Sequence, residues 1–219
     1  MSGAAITNSA DIIGVVGASG MGKGLYVKDY LRRLRASRGV LVWSPLEDTD
    51  DYADVIGGER VDSIAALVAA IRAGKRRLVF VPSHKPTTLK EQFDRFCRVV
   101  WELDGWAVVV EELSNVTMAS WAPPAWKKIS TAGRHKGLTV IGTSQRPAHV
   151  DKDFFGNCTQ LRCYRVGYRS DAVAMADVMF VDNPAEHRTL LKLDQFHYIH
   201  RDKFAGINTP GVVSPPKKR

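Results

Sequence analysis

The chain has few cysteines, and their arrangement fits neither a disulfide framework nor a zinc site. Its 219 residues include three, Cys97, Cys158 and Cys163, which is an odd number without a C-x-x-C pair. Domains that depend on disulfides or zinc carry even or closely paired sets. The six histidines show no metal-ligand spacing either. A chain of this length buries about 70% of the surface that its unfolded form exposes. We therefore expect buried free thiols in a core that needs no covalent staple.

Long hydrophobic runs are also missing. No apolar stretch approaches the roughly 18 residues that a membrane-spanning helix requires. The N-terminal residues Met-Ser-Gly-Ala-Ala-Ile-Thr lack the basic segment and apolar segment of a secretory leader. The sequence thus predicts no transmembrane segment of its own and a protein that stays in the cell that makes it.

Acidic residues are outnumbered, with 23 Asp and Glu against 31 Lys and Arg and a net charge of +8. Five of the acids lie within residues 47–54, which hold no base, so the rest of the chain is more basic still. This balance favours a polyanionic partner, although a basic cluster is more often solvated surface than a contact. We expect the acidic run to be a solvated loop; the alternative is a surface that repels a polyanion or docks on a basic partner. Candidate contacts for such a partner are the basic clusters within 28–38, 75–77, 127–128 and 162–169, and the C-terminal tail.

Short apolar runs alternate with helical periodicity along most of the chain. Strands are predicted at 12–16, 40–43, 78–81, 106–110, 138–142, 161–166 and 196–200, and helices at about 22–36, 61–73, 88–100 and 124–135. Continuous apolar runs indicate strands covered on both faces, and helices between them indicate parallel crossovers. The predicted fold is α/β: three layers, doubly wound, with a mainly parallel sheet. We expect an N-terminal extension at 1–10, one domain at 11–208, and a flexible basic tail at 209–219 that contains three prolines.

A glycine-rich turn follows the first predicted strand and matches G-x-x-x-x-G-K. Its glycines allow backbone N–H groups to face a phosphate at a helix N-terminus, and Lys23 supplies a positive charge. The strand–loop–helix setting makes nucleotide binding the favoured interpretation over a chance turn. The predicted nucleotide-binding residues are Gly17, Ala18, Ser19, Gly20, Met21, Gly22, Lys23 and Gly24.

The eighth position of this P-loop departs from the usual pattern. Serine or threonine there offers its hydroxyl to Mg²⁺, whereas this chain has Gly24. Three explanations stay open: water fills the coordination place, a nearby hydroxyl such as that of Ser19 substitutes, or hydrolysis is weak. A nucleotide-binding subunit without turnover is therefore one of the alternatives.

Two acids stand at the end of the fourth predicted strand. Glu111 and Glu112 follow a run of valines, where carboxylates are costly unless they are paired or functional. The pattern has the form of a Walker B element, in which Glu111 would hold the Mg²⁺ shell and Glu112 would orient and deprotonate the attacking water. Aspartate is usual at the first position, and two acids on a solvated turn are the alternative.

A further motif lies in the segment 133–147. It contains Arg134 and Gly137, then an apolar strand, then Thr-Ser-Gln-Arg-Pro ending at Pro147. This run resembles the FtsK–HerA superfamily of DNA-pumping ATPases. The stretch 190–200 is similar to the terminal strand of the small genome-packaging ATPases that membrane-containing icosahedral viruses encode in that superfamily. The resemblance covers roughly residues 11–203.

The resemblance implies a P-loop NTPase of RecA or FtsK–HerA type that uses ATP and Mg²⁺ to move double-stranded DNA. It further implies a homo-oligomeric ring, expected to be a hexamer, that docks on capsid proteins at the packaging vertex of a virion after residing in the host cytoplasm. By position, Gln145 matches the sensor of the γ-phosphate. Arg134 matches the arginine that one subunit extends to its neighbour's nucleotide; its alternative is a surface arginine. Arg146 is expected to fix the loop by pairing with an acid.

Three other classes of P-loop protein are alternatives to a packaging ATPase. A phage assembly ATPase of the zonular-occludens-toxin type belongs to the same superfamily, but such proteins generally carry a membrane span. A nucleotide or small-molecule kinase shares the P-loop, yet it does not need a water-orienting amide such as that of Gln145. A GTPase would need an Asn-Lys-x-Asp motif, which the chain lacks. Lys127 and Lys128, with tryptophans nearby, are hypothesised to couple nucleotide state to a DNA-contacting loop.

Overall fold

The computed structural model describes residues 10–83 and 86–214. The expected N-terminal extension therefore lies outside the described residues except for Ala10. The strands are β1 (Ile12–Val16), β2 (Val40–Trp43), β3 (Glu59–Val61), β4 (Arg77–Phe80), β5 (Ala107–Val110), β6 (Thr139–Ser144), β7 (Gln160–Tyr164), β8 (His197–Asp202) and β9 (Ile207–Val212). The helices are α1 (Lys23–Arg32), α2 (Glu47–Asp50), α3 (Tyr52–Ile56), α4 (Ile64–Arg72), α5 (Pro86–Trp101), α6 (Pro124–Ala132), α7 (Lys152–Asn157), α8 (Arg169–Met179) and α9 (His187–Lys192).

One sheet organises these elements in the order β3-β4-β2-β5-β6-β1-β7-β8-β9. The strands from β3 through β7 are parallel, and β8 and β9 add an antiparallel hairpin at one edge. Because parallel strands expose their carboxyl ends along one edge, the residues after β1, β2, β5 and β6 meet there. The fold class predicted from the sequence is confirmed.

The central strands are buried on both faces, as their continuous apolar runs predict. One face packs under α5 and α6, where Trp43 stacks on Phe80 with ring centroids 5.4 Å apart. The other face packs under α1 and α3. Packing is close at Gly142 in β6, where an added Cβ would lie 2.4 Å from Leu113 Cδ1. The three cysteines are buried free thiols, as expected, and burial raises the pKa of Cys97 well above its ordinary value.

The boundary expected from the sequence, at residue 209, places the start of the C-terminal tail too early. Residues 207–212 form β9, which pairs with β8 from Ile207 opposite Asp202 to Val212 opposite His197. The strand has little apolar alternation because most of it is exposed, and Pro210 is tolerated because β9 is the sheet edge. Residues 215–219, the basic end of the tail, lie outside the described part of the chain.

The acidic run at residues 47–54 also differs from the expectation, because it is not a simple solvated loop. It forms α2 and α3, and its Glu47 is only 1% exposed. The Glu47 carboxylate accepts a hydrogen bond from the Ala53 N–H at 2.7 Å and faces the Arg60 guanidinium at 3.5 Å. Burial of Tyr52 and Ile56 against the sheet supplies the apolar contacts that hold this segment in place.

Among the residues that the structure describes, no helix has both the length and the apolar character to cross a membrane. The same residues contain no group of three or more histidine, cysteine, aspartate or glutamate side chains arranged to hold a metal ion by themselves.

Candidate nucleotide-binding site

The P-loop lies between the end of β1 and the start of α1, as the sequence predicts. Gly17, Gly20 and Gly22 have φ angles of 149°, 73° and 117°, a region that side chains rarely allow. Gly22 also has no room for a side chain, since an added Cβ would lie 2.8 Å from Val213 Cγ1. Gly22 is the N-cap of α1, so the loop presents a helix N-terminus to the cleft.

The side chain of Lys23 curls back over this loop. Its Nζ donates to the carbonyl oxygens of Gly17 at 2.7 Å and Ala18 at 3.1 Å. Burial lowers the pKa of Lys23, and the nearby carboxylates of Glu112 and Glu111 oppose that shift. A buried cation beside a helix N-terminus is favourable only with an anion, and a phosphate supplies one.

Glu111 points into the space between β5 and its neighbours. Its Oε1 accepts a hydrogen bond from the Tyr52 hydroxyl, and its Oε2 accepts one from the Thr143 hydroxyl. Burial raises the pKa of Glu111, and these two hydrogen bonds oppose the shift. The carboxylate is therefore held in one orientation near Lys23, whose positive charge also favours its ionised form.

Glu112 occupies a strained backbone conformation with φ 56°, and its N–H donates to Thr143 Oγ1 at 3.1 Å. One carboxylate oxygen accepts three hydrogen bonds, from Ser114 Oγ at 2.7 Å, Ser144 Oγ at 3.1 Å and the Gln145 N–H at 2.9 Å. Strained residues with such dense support are concentrated at active sites. The arrangement orients a carboxylate over the cleft and joins it to the end of β6.

These groups line one cleft of about 380 Å³ at the carboxyl edge of the sheet. The predicted residues that line it are Ser19, Gly20, Gly22, Lys23, Gly24, Glu111, Glu112 and Gln145. The other predicted loop residues lie in the turn itself and stabilise it. Gly17 N–H donates to Ser144 O at 3.1 Å, Ala18 N–H donates to Arg165 O at 2.8 Å, and Met21 O accepts from Phe196 N–H at 3.2 Å.

Arg134 does not join this cleft. It lies in a 3₁₀ turn before β6, at the amino edge of the parallel strands, and its guanidinium sits 5.9 Å from the ring centroid of Phe204. The length of β6, about 20 Å at 3.3 Å per residue, separates it from the residues after Ser144. Arg134 is exposed and has no route to the phosphates of its own subunit.

Arg146 has the structural role that the sequence favours. Its Nε donates to Asp171 Oδ2 at 3.0 Å, and that carboxylate is fully buried. The guanidinium also lies 4.1 Å from the ring centroid of Tyr168. Asp171 accepts a further hydrogen bond from the Ala148 N–H, so α8 fixes the loop that follows Gln145.

Several residues of the cleft escaped sequence reasoning. The cleft is also lined by Lys28, Leu46, Asp50 and Phe196. Tyr52 orients Glu111 through the hydrogen bond from its hydroxyl. Asp50 and Tyr52 belong to the acidic run, whose charge pattern indicates only a loop. A signal did exist for Thr143, which supports both acids: a polar residue inside a fully buried strand needs a hydrogen-bond partner.

No family model matches the chain. Protein P9 of Pseudoalteromonas phage PM2 is 29% identical over 167 residues, which cover 74% of this chain and 72% of P9. The genome packaging NTPase B204 of Sulfolobus turreted icosahedral virus 2, in complex with AMP, superposes with a TM-score of 0.72 at 14% identity over 94% of this chain and 98% of B204. The chain has the fold of a viral genome-packaging NTPase.

A bacterial protein shares the fold as well. VirB4 of Thermoanaerobacter pseudethanolicus superposes with a TM-score of 0.70 at 12% identity, over 99% of this chain and 92% of the VirB4 chain. Structures of B204 in complex with AMPPCP and with ATP-gammaS match at TM-scores of 0.72 and 0.71. The predicted resemblance to a small viral packaging ATPase is thus confirmed at the level of the fold.

Proposed function

We propose that the protein is an ATPase that packages a viral genome by moving double-stranded DNA into a preformed capsid. The observation that carries the proposal is the single cleft in which Lys23 faces Glu111, Glu112 and Gln145, on a fold shared with packaging NTPases. Similarity over most of both chains to protein P9, which a phage encodes, agrees with a viral role.

Each side chain has a chemical role in this proposal. The P-loop N–H groups and Lys23 hold the β- and γ-phosphates. Glu112 acts as the base that orients and deprotonates the attacking water, and the Gln145 amide contacts the γ-phosphate and that water. The hydrogen bond from the backbone N–H of Gln145 to the Glu112 carboxylate holds these two residues close together.

The donor set of the cleft fits Mg²⁺ bound mainly by phosphate and water. Magnesium retains several waters and takes only one or two carboxylates from protein. Glu111 is the carboxylate that would hold its shell, because hydroxyls of Tyr52 and Thr143 already orient it. An added Cβ at Gly24 would meet nothing within 4 Å, so the place of the usual hydroxyl is open to water. Bound there, Mg²⁺ would neutralise charge on the phosphates.

Arg134 acts between subunits in this proposal. Arg134 lies at the amino edge of the sheet and is too far from the cleft of its own subunit to contact a nucleotide there. It would therefore contact the γ-phosphate bound by a neighbouring copy in a hexameric ring. The same ring would enclose DNA and dock on capsid proteins at the packaging vertex, after residing in the host cytoplasm.

Some of the basic side chains that were expected to contact DNA already have partners within the fold. Arg162 is enclosed by the rings of Tyr26 and Tyr198, at 3.8 and 3.9 Å from their centroids. Lys127 forms an ion pair with Asp153 at 3.2 Å, and Lys128 lies 4.0 Å from the centroid of the Trp101 ring. These residues already serve the fold. The exposed Arg169, beside the loop that contacts Ala18, is a better candidate for a backbone contact.

ATP hydrolysis with and without double-stranded DNA tests the proposal. We expect DNA to stimulate turnover in the native protein and not in Lys23→Ala, and we expect DNA affinity to fall steeply with salt while ATP affinity changes little. Phosphate transfer to a small acceptor would instead support a kinase. Binding without turnover would support a nucleotide-binding subunit.

A further inference from the structure

Phe196 has a backbone conformation that bulky residues rarely adopt. Its φ of 67° lies in the left-handed region, and it is one of three non-glycine residues with positive φ among those the structure describes. For a large side chain this conformation costs of the order of 1 kcal/mol or more and persists only where the surroundings enforce it. The role proposed above for ATP hydrolysis does not use this residue.

The surroundings that enforce it are the P-loop and Val213, the residue that follows β9. Phe196 N–H donates to Met21 O at 3.2 Å, and Phe196 O accepts from Val213 N–H at 3.0 Å. Gln195 Nε2 donates to Gly20 O at 3.1 Å. The residues just before β8 are therefore bound to the phosphate loop, almost at the other end of the sequence.

This attachment places the Phe196 ring at the wall of the nucleotide cleft. The ring is half-buried and lines the cleft together with Gly20, Gly22 and Lys23. It lies so close to the loop that a Cβ added to Gly22 would be 3.3 Å from Phe196 Cδ1. An aromatic surface thus stands immediately beside the proposed phosphate site.

Strand order decides which end of a nucleotide would meet that ring. Glu111, Glu112 and Gln145 follow β5 and β6, which lie on one side of β1. Phe196 precedes β8, which lies on the opposite side of β1, beyond β7. A nucleotide with its γ-phosphate toward the acids extends its nucleoside end toward Phe196.

We propose that Phe196 is the platform on which the nucleobase stacks, held in its strained conformation by hydrogen bonds to the P-loop and to Val213. This inference rests on the proposed nucleotide-binding function and adds the base subsite to it. Stacking uses the π-face that every base has, so the site accepts adenine and guanine nucleotides with similar affinity.

The test compares ATP with inorganic tripolyphosphate, which lacks the nucleoside. Phe196→Gly removes the ring and suits the positive φ, so folding is preserved. We expect this variant to bind ATP about tenfold or more weakly, from the loss of one stacking contact, with tripolyphosphate binding unchanged by calorimetry. Phe196→Trp should retain ATP affinity and show quenched tryptophan emission with ATP. Phe204→Ala, at the exposed far end of the same hairpin, is the matched control.

Unchanged ATP affinity in Phe196→Gly would overturn the base platform, as would an equal loss for ATP and tripolyphosphate, which indicates loop damage. GTP binding far weaker than ATP binding in the native protein would also overturn base-tolerant stacking. If the native protein bound neither ATP nor tripolyphosphate, the nucleotide-binding function itself would fail, a result distinct from the others.

Discussion

The carboxylate of Glu112 accepts a hydrogen bond from the Gln145 N–H at 2.9 Å, although 33 residues separate them in sequence. The same oxygen accepts hydrogen bonds from the hydroxyls of Ser114 and Ser144. The proposed base and the proposed sensor are thus parts of one hydrogen-bonded unit. Because the donor is the backbone N–H, the contact fixes the position of the chain that carries the Gln145 side chain.

Replacing Glu112 by glutamine should separate nucleotide binding from hydrolysis. The amide keeps the shape of the side chain and can still accept hydrogen bonds, but it cannot take a proton from water. We expect turnover to fall by about 10² to 10⁴ with ATP affinity nearly unchanged, measured as single-turnover hydrolysis and by calorimetry. Turnover within a factor of two of the native protein would exclude Glu112 as the base.

Glu111→Gln should change how stability depends on pH. Burial raises the pKa of Glu111 in the folded state, so the folded protein retains this proton at pH values where the unfolded chain has lost it. Stability in the native protein should therefore decline, relative to the variant, as pH rises above the ordinary value of 4.5, and level off above the folded pKa. Urea unfolding of both proteins from pH 4 to pH 8 measures this difference. A pH-independent difference would contradict the shift.

Gly24→Ser should lower the Mg²⁺ concentration needed for tight nucleotide binding. The open space at Gly24 admits a side chain, and a hydroxyl there can join the metal shell. Titration of ATP-gammaS binding with Mg²⁺ measures the effect. Gly24→Ala is the matched control, because both changes raise helix propensity by about 0.5 kcal/mol or more but only serine adds a ligand. Equal Mg²⁺ dependence of the two variants would refute the idea.

Arg146→Ala should destabilise the fold, because it leaves the fully buried Asp171 carboxylate without its cation. We expect a loss of about 3 kcal/mol in the free energy of unfolding, and a smaller loss for the double variant Arg146→Ala with Asp171→Asn. Denaturant titration gives both values. Arg134→Ala, at an exposed site, should change stability by about 0.5 kcal/mol or less. Similar losses for the two single arginine variants would argue against the buried pair.

Arg134→Ala should abolish turnover without weakening ATP binding, if the arginine serves a neighbouring subunit. Loss of such a group costs about 10³ or more in rate in related chemistry. Mixing this variant with Lys23→Ala should restore part of the activity, because some interfaces then combine an intact P-loop with an intact Arg134. Mixtures with no more activity than either variant alone would place Arg134 outside the active site.

Local patterns were sufficient for the central part of this fold. β1, β2, β5 and β6 are buried on both faces, and that environment leaves short, mainly apolar runs in the sequence. β9 escaped prediction because it is an exposed edge strand, stabilised by pairing with β8 rather than by burial. The segment 47–54 escaped because its few buried residues are hidden among acids.

The motifs that predict a phosphate site are contiguous, since a turn onto a helix N-terminus needs its glycines and lysine within a few residues. The P-loop, the two acids and the amide of Gln145 could therefore be found in the chain alone. Their contacts could not, because Tyr52 reaches the site from α3, Thr143 from β6 and Phe196 from the residues just before β8. The direction of β6 places Arg134 at the opposite edge of the sheet from Gln145. Only the order of strands, which depends on pairing between segments distant in the chain, determines that Phe196 and the two acids lie on opposite sides of β1.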